Sequence, residues 1–329
     1  MIEPINWQAV VDEAIRRRKA EGLGQRSLAA LAGVSVPTVN AFEAGDVNLR
    51  FERVIAILEA LDLFIHPGRR DSLEVFVHNA RRRWEELVAP LPDGHPSRQP
   101  HGHSEQAYAI LGLEDVPPPG ELREILSGLP KTSGWTPFWV PTRPDIRPII
   151  EDNTVECWLG RADTDRVFDD PAHSDFWRVS REPFAYLQRG YQEDGRDLEP
   201  GTIFDITLPI WRTAELFLHA VNFGWRIGAN ENTLIQFRTR YTGLQGRTLI
   251  SWARPLLIIG LDRLRARSEQ IELELHAPLH ALQSSLEGAV RSFLTPLYER
   301  FDGYKLSDDL VYSQVAELRR QPGFGAEGR

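Results

Sequence analysis

Cysteine is almost absent. The 329 residues hold one, Cys157, so no internal disulfide exists and a packed core must hold the chain together. A lone thiol fits a reducing compartment. No run of about 18 apolar residues occurs, so no membrane-spanning helix is expected. The opening Met1-Ile2-Glu3-Pro4 lacks the charged and then apolar pattern of a signal peptide, and the cytoplasm is the expected location. Positive charge is scarce as well: 38 basic residues face 47 acidic ones, a net charge of −9. That balance argues against non-specific nucleic-acid binding, so any such role has to rest on a local pattern. There is no internal repeat. Hydrophobic residues at 42% and charged residues at 26% describe an ordinary globular chain. At about 100–200 residues per domain, its length implies two domains or three.

The pattern along the chain divides it. Helical periodicity marks Asn6 to Ala20, Gln25 to Ala32, Val36 to Phe42 and Phe51 to Leu61, and Pro67-Gly68 closes this block. A longer amphipathic helix is predicted from Asp71 to Val88, with Leu73, Phe76, Val77, Ala80, Trp84 and Leu87 inward. Ala89 to His103, with four prolines and two glycines, reads as a linker, and Pro117-Pro118-Pro119-Gly120 as a second break. Seven of the nine tryptophans fall between Trp135 and Trp252, which marks the remainder as a separate core. Strands are predicted at Phe138–Val140, Thr154–Leu159, Phe184–Arg189, Leu234–Tyr241 and Ile271–His276. Helices are predicted at Pro209–Ile227, Leu279–Arg300 and Ser307–Arg319. The expected architecture is an all-α head over 1–67, a helix and Pro/Gly-rich linker over 68–103, and a larger α+β domain over 104–329.

Residues Gln25 to Glu43 meet the steric demands of two helices crossing at a tight turn. Ala29 supplies a small residue at the crossing, and Gly33 supplies a turn position that tolerates positive φ. Ser35 is a suitable N-cap, and Pro37 lies in the first turn, where its missing N–H is harmless. Leu28, Ala32, Val34, Val39 and Phe42 fall on the inner faces. The stretch Gly22 to Gly45 resembles the Cro/phage-repressor, or XRE-type, class of bacterial helix-turn-helix regulators, through Gln25, Leu28, Ala29, Gly33, Ser35, Thr38, Glu43 and Gly45.

The resemblance implies a helix from Val36 to Phe42, capped by Ser35, that enters the major groove of double-stranded DNA with Val36, Pro37, Thr38, Asn40 and Ala41 exposed. Asn40 would read an adenine edge, and Val36 or Ala41 a thymine methyl. Gln25, at a helix N-terminus, would bond a phosphate, with Arg26, Arg50 and Arg53 as further phosphate contacts. It implies binding as a homodimer to paired half-sites. The sequence departs from the family in having no Arg, Lys or Gln on the reading surface, and in placing Asp46 just after it. Up to Pro67 it carries seven basic and nine acidic residues, so the head is net acidic. Arg69-Arg70 and Arg81-Arg82-Arg83 bracket the next helix, either as added phosphate contacts or as a solvated face paired with Glu74, Glu85 and Glu86.

In the larger domain, Asp175 to Arg178, Leu187 to Asp194 and Tyr241 to Arg247 resemble a module of bacterial multidomain proteins with AlbA-like or helix-turn-helix heads. That resemblance implies no defined activity. The Pro209–Ile227 helix carries Arg212, Glu215, His219, Asn222 and Arg226 three or four residues apart, hence on one face. This stripe is either solvated or the wall of a pocket for an anionic effector or a protein partner. Ile210, Ala214, Phe217, Leu218, Val221 and Trp225 should face inward. Trp177, Trp211 and Tyr241 would suit a planar ligand. No catalytic residue, cofactor or metal site is expected. His95, His101 and His103 sit in a Pro/Gly loop, and His173-Ser174-Asp175 is a capped turn, since neighbours in sequence do not form a triad. Cys157 is a core thiol, and Glu193, Asp194, Asp197 and Glu199 form a polar hairpin loop. These features point to a sequence-specific transcriptional regulator, a repressor that dimerises through its C-terminal region. The alternatives are an antitoxin or defence-system subunit that acts through protein contacts, and an unrecognised enzyme in the C-terminal domain.

Overall fold

The computed structural model describes residues 7–20, 22–61, 63, 72–113, 116–134, 136–161, 171–195, 198–254 and 264–320. Pro67-Gly68, Arg69-Arg70, Asp71, Trp135 and Asp197 lie outside the described residues. The chain separates into two compact units, Met1–Val75 and Phe76–Arg329.

The first unit is helical: α1 (Trp7–Ala20), α2 (Gln25–Leu31), α3 (Val36–Glu43) and α4 (Phe51–Ala60). Its core holds Val11, Ala14, Leu28, Val39, Phe42 and Ile57, all essentially sealed from solvent. The Trp7 ring meets Phe42 edge-on at 5.6 Å and its Nε1–H donates to the Gly45 carbonyl, which pins α1 to the end of α3.

The second unit begins in α5 (Leu73–Val88), which starts just before the division. It continues through β1 (His103–Ile110), α6 (Pro119–Ser127), β2 (Ile149–Glu151), β3 (Thr154–Trp158), β4 (Phe176–Ser180) and β5 (Phe184–Gly190). Next come β6 (Ile203–Asp205), α7 (Leu208–Arg226), β7 (Leu234–Tyr241), β8 (Thr248–Ile250) and β9 (Ile271–Pro278). The last elements are α8 (Leu279–Ser284), α9 (Leu286–Glu299) and α10 (Asp308–Arg319). A seven-stranded antiparallel sheet runs in the order β2-β3-β4-β5-β1-β7-β9, with β6 and β8 in a small parallel pair beside it. The fold is therefore α+β, as expected.

The sheet's two faces differ because successive side chains alternate. One face carries the paired neighbours Cys157, Trp177 and Leu187, and beside them Ala185, Tyr108 and Phe237, and belongs to the main core with α7 and α9. The other carries Glu156, Arg178, Gln188, Glu105 and Arg240, and α5 lies over it. Arg81 Nε reaches Glu105 Oε2 at 2.5 Å, Arg83 Nε reaches Glu156 at 3.2 Å, and Phe76 packs on Phe184 at 5.6 Å. Burial alone would raise the Glu105 carboxyl, but His103 and Arg81 outweigh it and hold the group below its usual value. Arg81 and Arg83 thus find their chief partners in the sheet. Arg82 follows the simple helix-surface pattern, with Glu86 at 3.5 Å, and Arg83 also reaches Glu86 at 3.6 Å.

Several expectations are corrected. The Ala89–His103 segment is folded into the second unit: Leu91, Ser97 and Gln99 are buried, Gln188 Nε2 donates to Gln99 Oε1 at 2.9 Å, and Arg98 Nη1 donates to the carbonyls of Val88 and Leu91. Its prolines and glycines shape turns, and His103 already starts the central strand β1. Phe138–Val140 is not a strand: Phe138 lies in a turn with φ +55°, and Trp139 and Val140 follow it without regular structure; β1, β4 and α6 are elements beyond those expected. Ser285, at φ −143° and ψ 56°, divides the expected Leu279–Arg300 helix into α8 and α9. Glu193 and Asp194 are buried, so they do not form a solvated hairpin loop.

Candidate nucleic-acid interface and the polar stripe of the second unit

In the first unit the turn between α2 and α3 is built as its residues require. Gly33 takes φ +61°, and Ser35 Oγ accepts the Thr38 N–H at 3.3 Å while bonding the Thr38 hydroxyl at 2.8 Å. That second bond draws Thr38 inward to 5% exposure, which corrects its assignment to the exposed surface. Val39 and Phe42 are buried, Ser35, Pro37 and Asn40 are exposed, and Val36 and Ala41 are half-buried.

Glu43 has a role that sequence spacing did not disclose. Arg18 donates to it through Nε at 2.5 Å and Nη2 at 3.1 Å, and Gln25 donates through Nε2 at 2.7 Å. Arg18 also caps the Leu23 carbonyl at 2.7 Å. These contacts tie α1, α2 and α3 together, and Gln25 spends one of its two amide N–H groups on Glu43. Asp46 accepts the Asn48 N–H at 2.9 Å and so stabilises its own loop. Arg26, Arg50 and Arg53 are exposed, and among the described residues none has an ion-pair partner. Residues 15–63 match the helix-turn-helix family model. The head is an XRE-type helix-turn-helix domain. No curated protein and no solved structure matches the chain. The helix-turn-helix domain equips this chain as a DNA-binding transcription regulator. It also exposes Leu31, Val47 and Phe51 at 63%, 73% and 74%. No helix among the described residues is long and apolar enough to cross a membrane.

In the second unit, α7 is buried on nearly every side, and its polar stripe divides. Glu215 is fully buried, and it accepts from Arg212 Nη1 at 2.9 Å and from the Ser133 hydroxyl. Arg212 borders a small cavity of about 40 Å³ with Glu193, Tyr191 and Tyr241. His219, 7% exposed, bonds the Tyr108 hydroxyl through Nδ1 at 3.0 Å and stacks on Phe138 with ring centres 4.5 Å apart. Burial pushes its pKa down to about 3, so the ring stays neutral. It lines a second cavity of about 270 Å³, with Phe138, Trp139, Leu129 and Lys131. The left-handed backbone of Phe138 is a strained conformation for a non-glycine residue and costs on the order of 1–3 kcal/mol. Asn222 is half-buried, and Arg226 is exposed at the helix C-terminus, where its charge complements the helix dipole.

The stripe is therefore not one wall. Trp225 is also 45% exposed, contrary to its inward assignment. Trp177, Trp211 and Tyr241 are each engaged separately: Trp177 donates to the Trp139 carbonyl, Trp211 to Gln314, and Tyr241 stacks edge-on to Phe204. Of the remaining candidates, His95 caps the Ser97 N–H, His103 pairs with Glu105 at 3.3 Å, and the His101 carbonyl accepts from Arg247. Ser174 donates to the Pro171 carbonyl, Asp175 holds Arg189 at 2.6 Å, and Cys157 is buried with its thiol on the Ile146 carbonyl.

Proposed function

We propose that the chain is a dimeric, sequence-specific repressor acting in the cytoplasm, whose head reads DNA with α3 and whose second unit senses a ligand and self-associates without catalysing a reaction. The observation that carries this reading is the bare side of α3. Asn40 and Pro37 face solvent while Val39 and Phe42 seal the opposite side, and the same unit holds three exposed arginines, Arg26, Arg50 and Arg53, that have no ion-pair partner among the described residues. Crosslinking the protein to DNA in its host and sequencing the recovered fragments tests it. A shared sequence with two related halves about one helical turn, roughly 34 Å, apart is expected. Recovery without enrichment of any sequence would end the reading.

Asn40 is the sole amide on the bare side of α3. Its replacement by alanine should cost about 1–3 kcal/mol at one base position and leave the others unchanged. Competition binding against operators varied one position at a time measures this. Uniform wild-type affinity across that panel would remove Asn40 from the readout.

A second reading has support of its own in the exposed Leu31, Val47 and Phe51 of the head, which suit a protein contact in an antitoxin-like or defence-system assembly. They also bear on the dimer, because they give the head apolar surface of its own for a contact. Assigning self-association to the second unit predicts that a fragment ending at Val75 sediments as a monomer while the full chain sediments as a dimer. A dimeric fragment would place the contact on the head instead.

A further inference from the structure

We propose that the cavity beside His219 binds a small planar carboxylate, held between the Lys131 ammonium and the His219 Nε2–H. This gives the proposed sensing role a ligand class, and it rests on that role only for its biological meaning. Space sets the size of the occupant. The cavity is about 270 Å³. A protein cavity of about 150 Å³ takes benzene, and sites for drug-sized ligands begin near 300 Å³, so one or two fused rings fit and a nucleotide does not. The walls favour a flat body, since Phe138, Trp139 and Pro137 line the space.

Charge sets the sign. Lys131 lines the cavity, no carboxylate does, and among the described residues the ammonium has no ion-pair partner. His219 supplies direction. The Tyr108 hydroxyl is fully buried, and among the described residues its hydrogen-bond partner is His219 Nδ1. An unused O–H in such a place is costly, so the hydroxyl donates and Nδ1 accepts. The ring proton then sits on Nε2, the nitrogen left for a ligand. Because burial keeps the ring uncharged, Nε2–H remains a donor to a carboxylate oxygen throughout the neutral range. The left-handed turn at Phe138 independently marks this wall as shaped: it lays the Phe138 ring over the imidazole, where a flexible loop residue would otherwise relax.

Isothermal titration of the full chain with indole-3-acetate and benzoate, against their neutral amides, tests the proposal without DNA. The acids should bind saturably and more tightly than the amides. Lys131→Met alters an exposed side chain and should leave the fold intact. It should weaken the acids about tenfold, equivalent to roughly 1.4 kcal/mol, and leave the amides unchanged. His219→Phe, checked for a retained thermal transition, should weaken acids and amides alike. Failure of both acids to bind at millimolar concentration would overturn the site, as would Lys131→Met binding them as the wild type does. If the acids bind through Lys131 yet operator affinity is the same with and without them, the site stands and the sensing role falls.

Discussion

Replacing Arg247 with methionine should destabilise the second unit by about 3–5 kcal/mol, because it leaves a carboxylate buried without its partner. The guanidinium is wholly buried, and each of its five N–H groups has an acceptor. Nε donates to the Gly243 carbonyl at 2.7 Å. Nη1 donates to Asp194 Oδ1 and the Ile203 carbonyl, both at 2.8 Å, and Nη2 donates to Asp194 Oδ2 at 2.6 Å and the His101 carbonyl at 2.7 Å. Its plane also lies over the Tyr191 ring at 4.5 Å. One side chain therefore joins four separated stretches of chain. Lysine keeps the charge but has three donors in the wrong geometry, so Arg247→Lys should recover only part of the loss. Urea unfolding read by tryptophan fluorescence measures both. Adding Asp194→Asn to Arg247→Met should return some stability by removing the stranded charge. A loss below about 1 kcal/mol for the single variant would mean that water replaces the guanidinium, contrary to the burial observed.

Raising the pH from about 5 to about 8 should cost about 2.5 kcal/mol through one residue, Glu193. Burial pushes this carboxyl from 4.5 up to about 7, against the opposing pull of the Asp205 backbone N–H that it accepts at 2.9 Å. A carboxyl with a raised folded pKa holds its proton more tightly in the folded state. Its contribution is full below the unfolded value near 4.5 and is lost as pH climbs through 7. Glu193→Gln keeps an acceptor for Asp205 without an ionisable proton. Urea midpoints should therefore fall less steeply with pH in the variant, which should be the more stable protein at pH 8. His219 acts in the opposite direction. With its pKa pushed down to about 3, it stabilises above the usual histidine value near 6.5 and loses that contribution as pH falls. Identical pH slopes for wild type and Glu193→Gln would show that the carboxyl is solvated.

The head was readable in sequence because its determinants are local. Gly33, Ser35, Ala29 and the buried pair Val39 and Phe42 each act within one or two helical turns, and the structure places them as their chemistry asks. What spacing could not show was pairing across the domain: Glu43 between Arg18 and Gln25, or Thr38 drawn in by Ser35. The second unit was legible where strands are long and β-rich, as in Leu234–Tyr241, whose bounds agree. It was opaque at β1, whose His-Ser-Glu-Gln-Ala-Tyr-Ala-Ile places Glu105 on the face covered by α5, as the partner of Arg81 from α5 and Arg240 from β7. A strand that pairs on both sides and is covered on both faces does not show simple alternation. The polar stripe of α7 was likewise read correctly as one helix face, but helical spacing does not say which neighbours meet each turn. Ser133, Tyr108 and Phe138 come from distant loops and strands, and they decide that Glu215 and His219 are interior.

Cys157 gives this chain a built-in clock. It is the single thiol, it sits on β3 facing the core, and no part of it reaches solvent. A thiol-reactive dye can label it only when the β3 region of the sheet opens, so the labelling rate in native buffer counts opening events directly, with no engineered probe. A ligand that stiffens the second unit slows this clock, and one that binds elsewhere without stiffening the sheet leaves it running at the same rate.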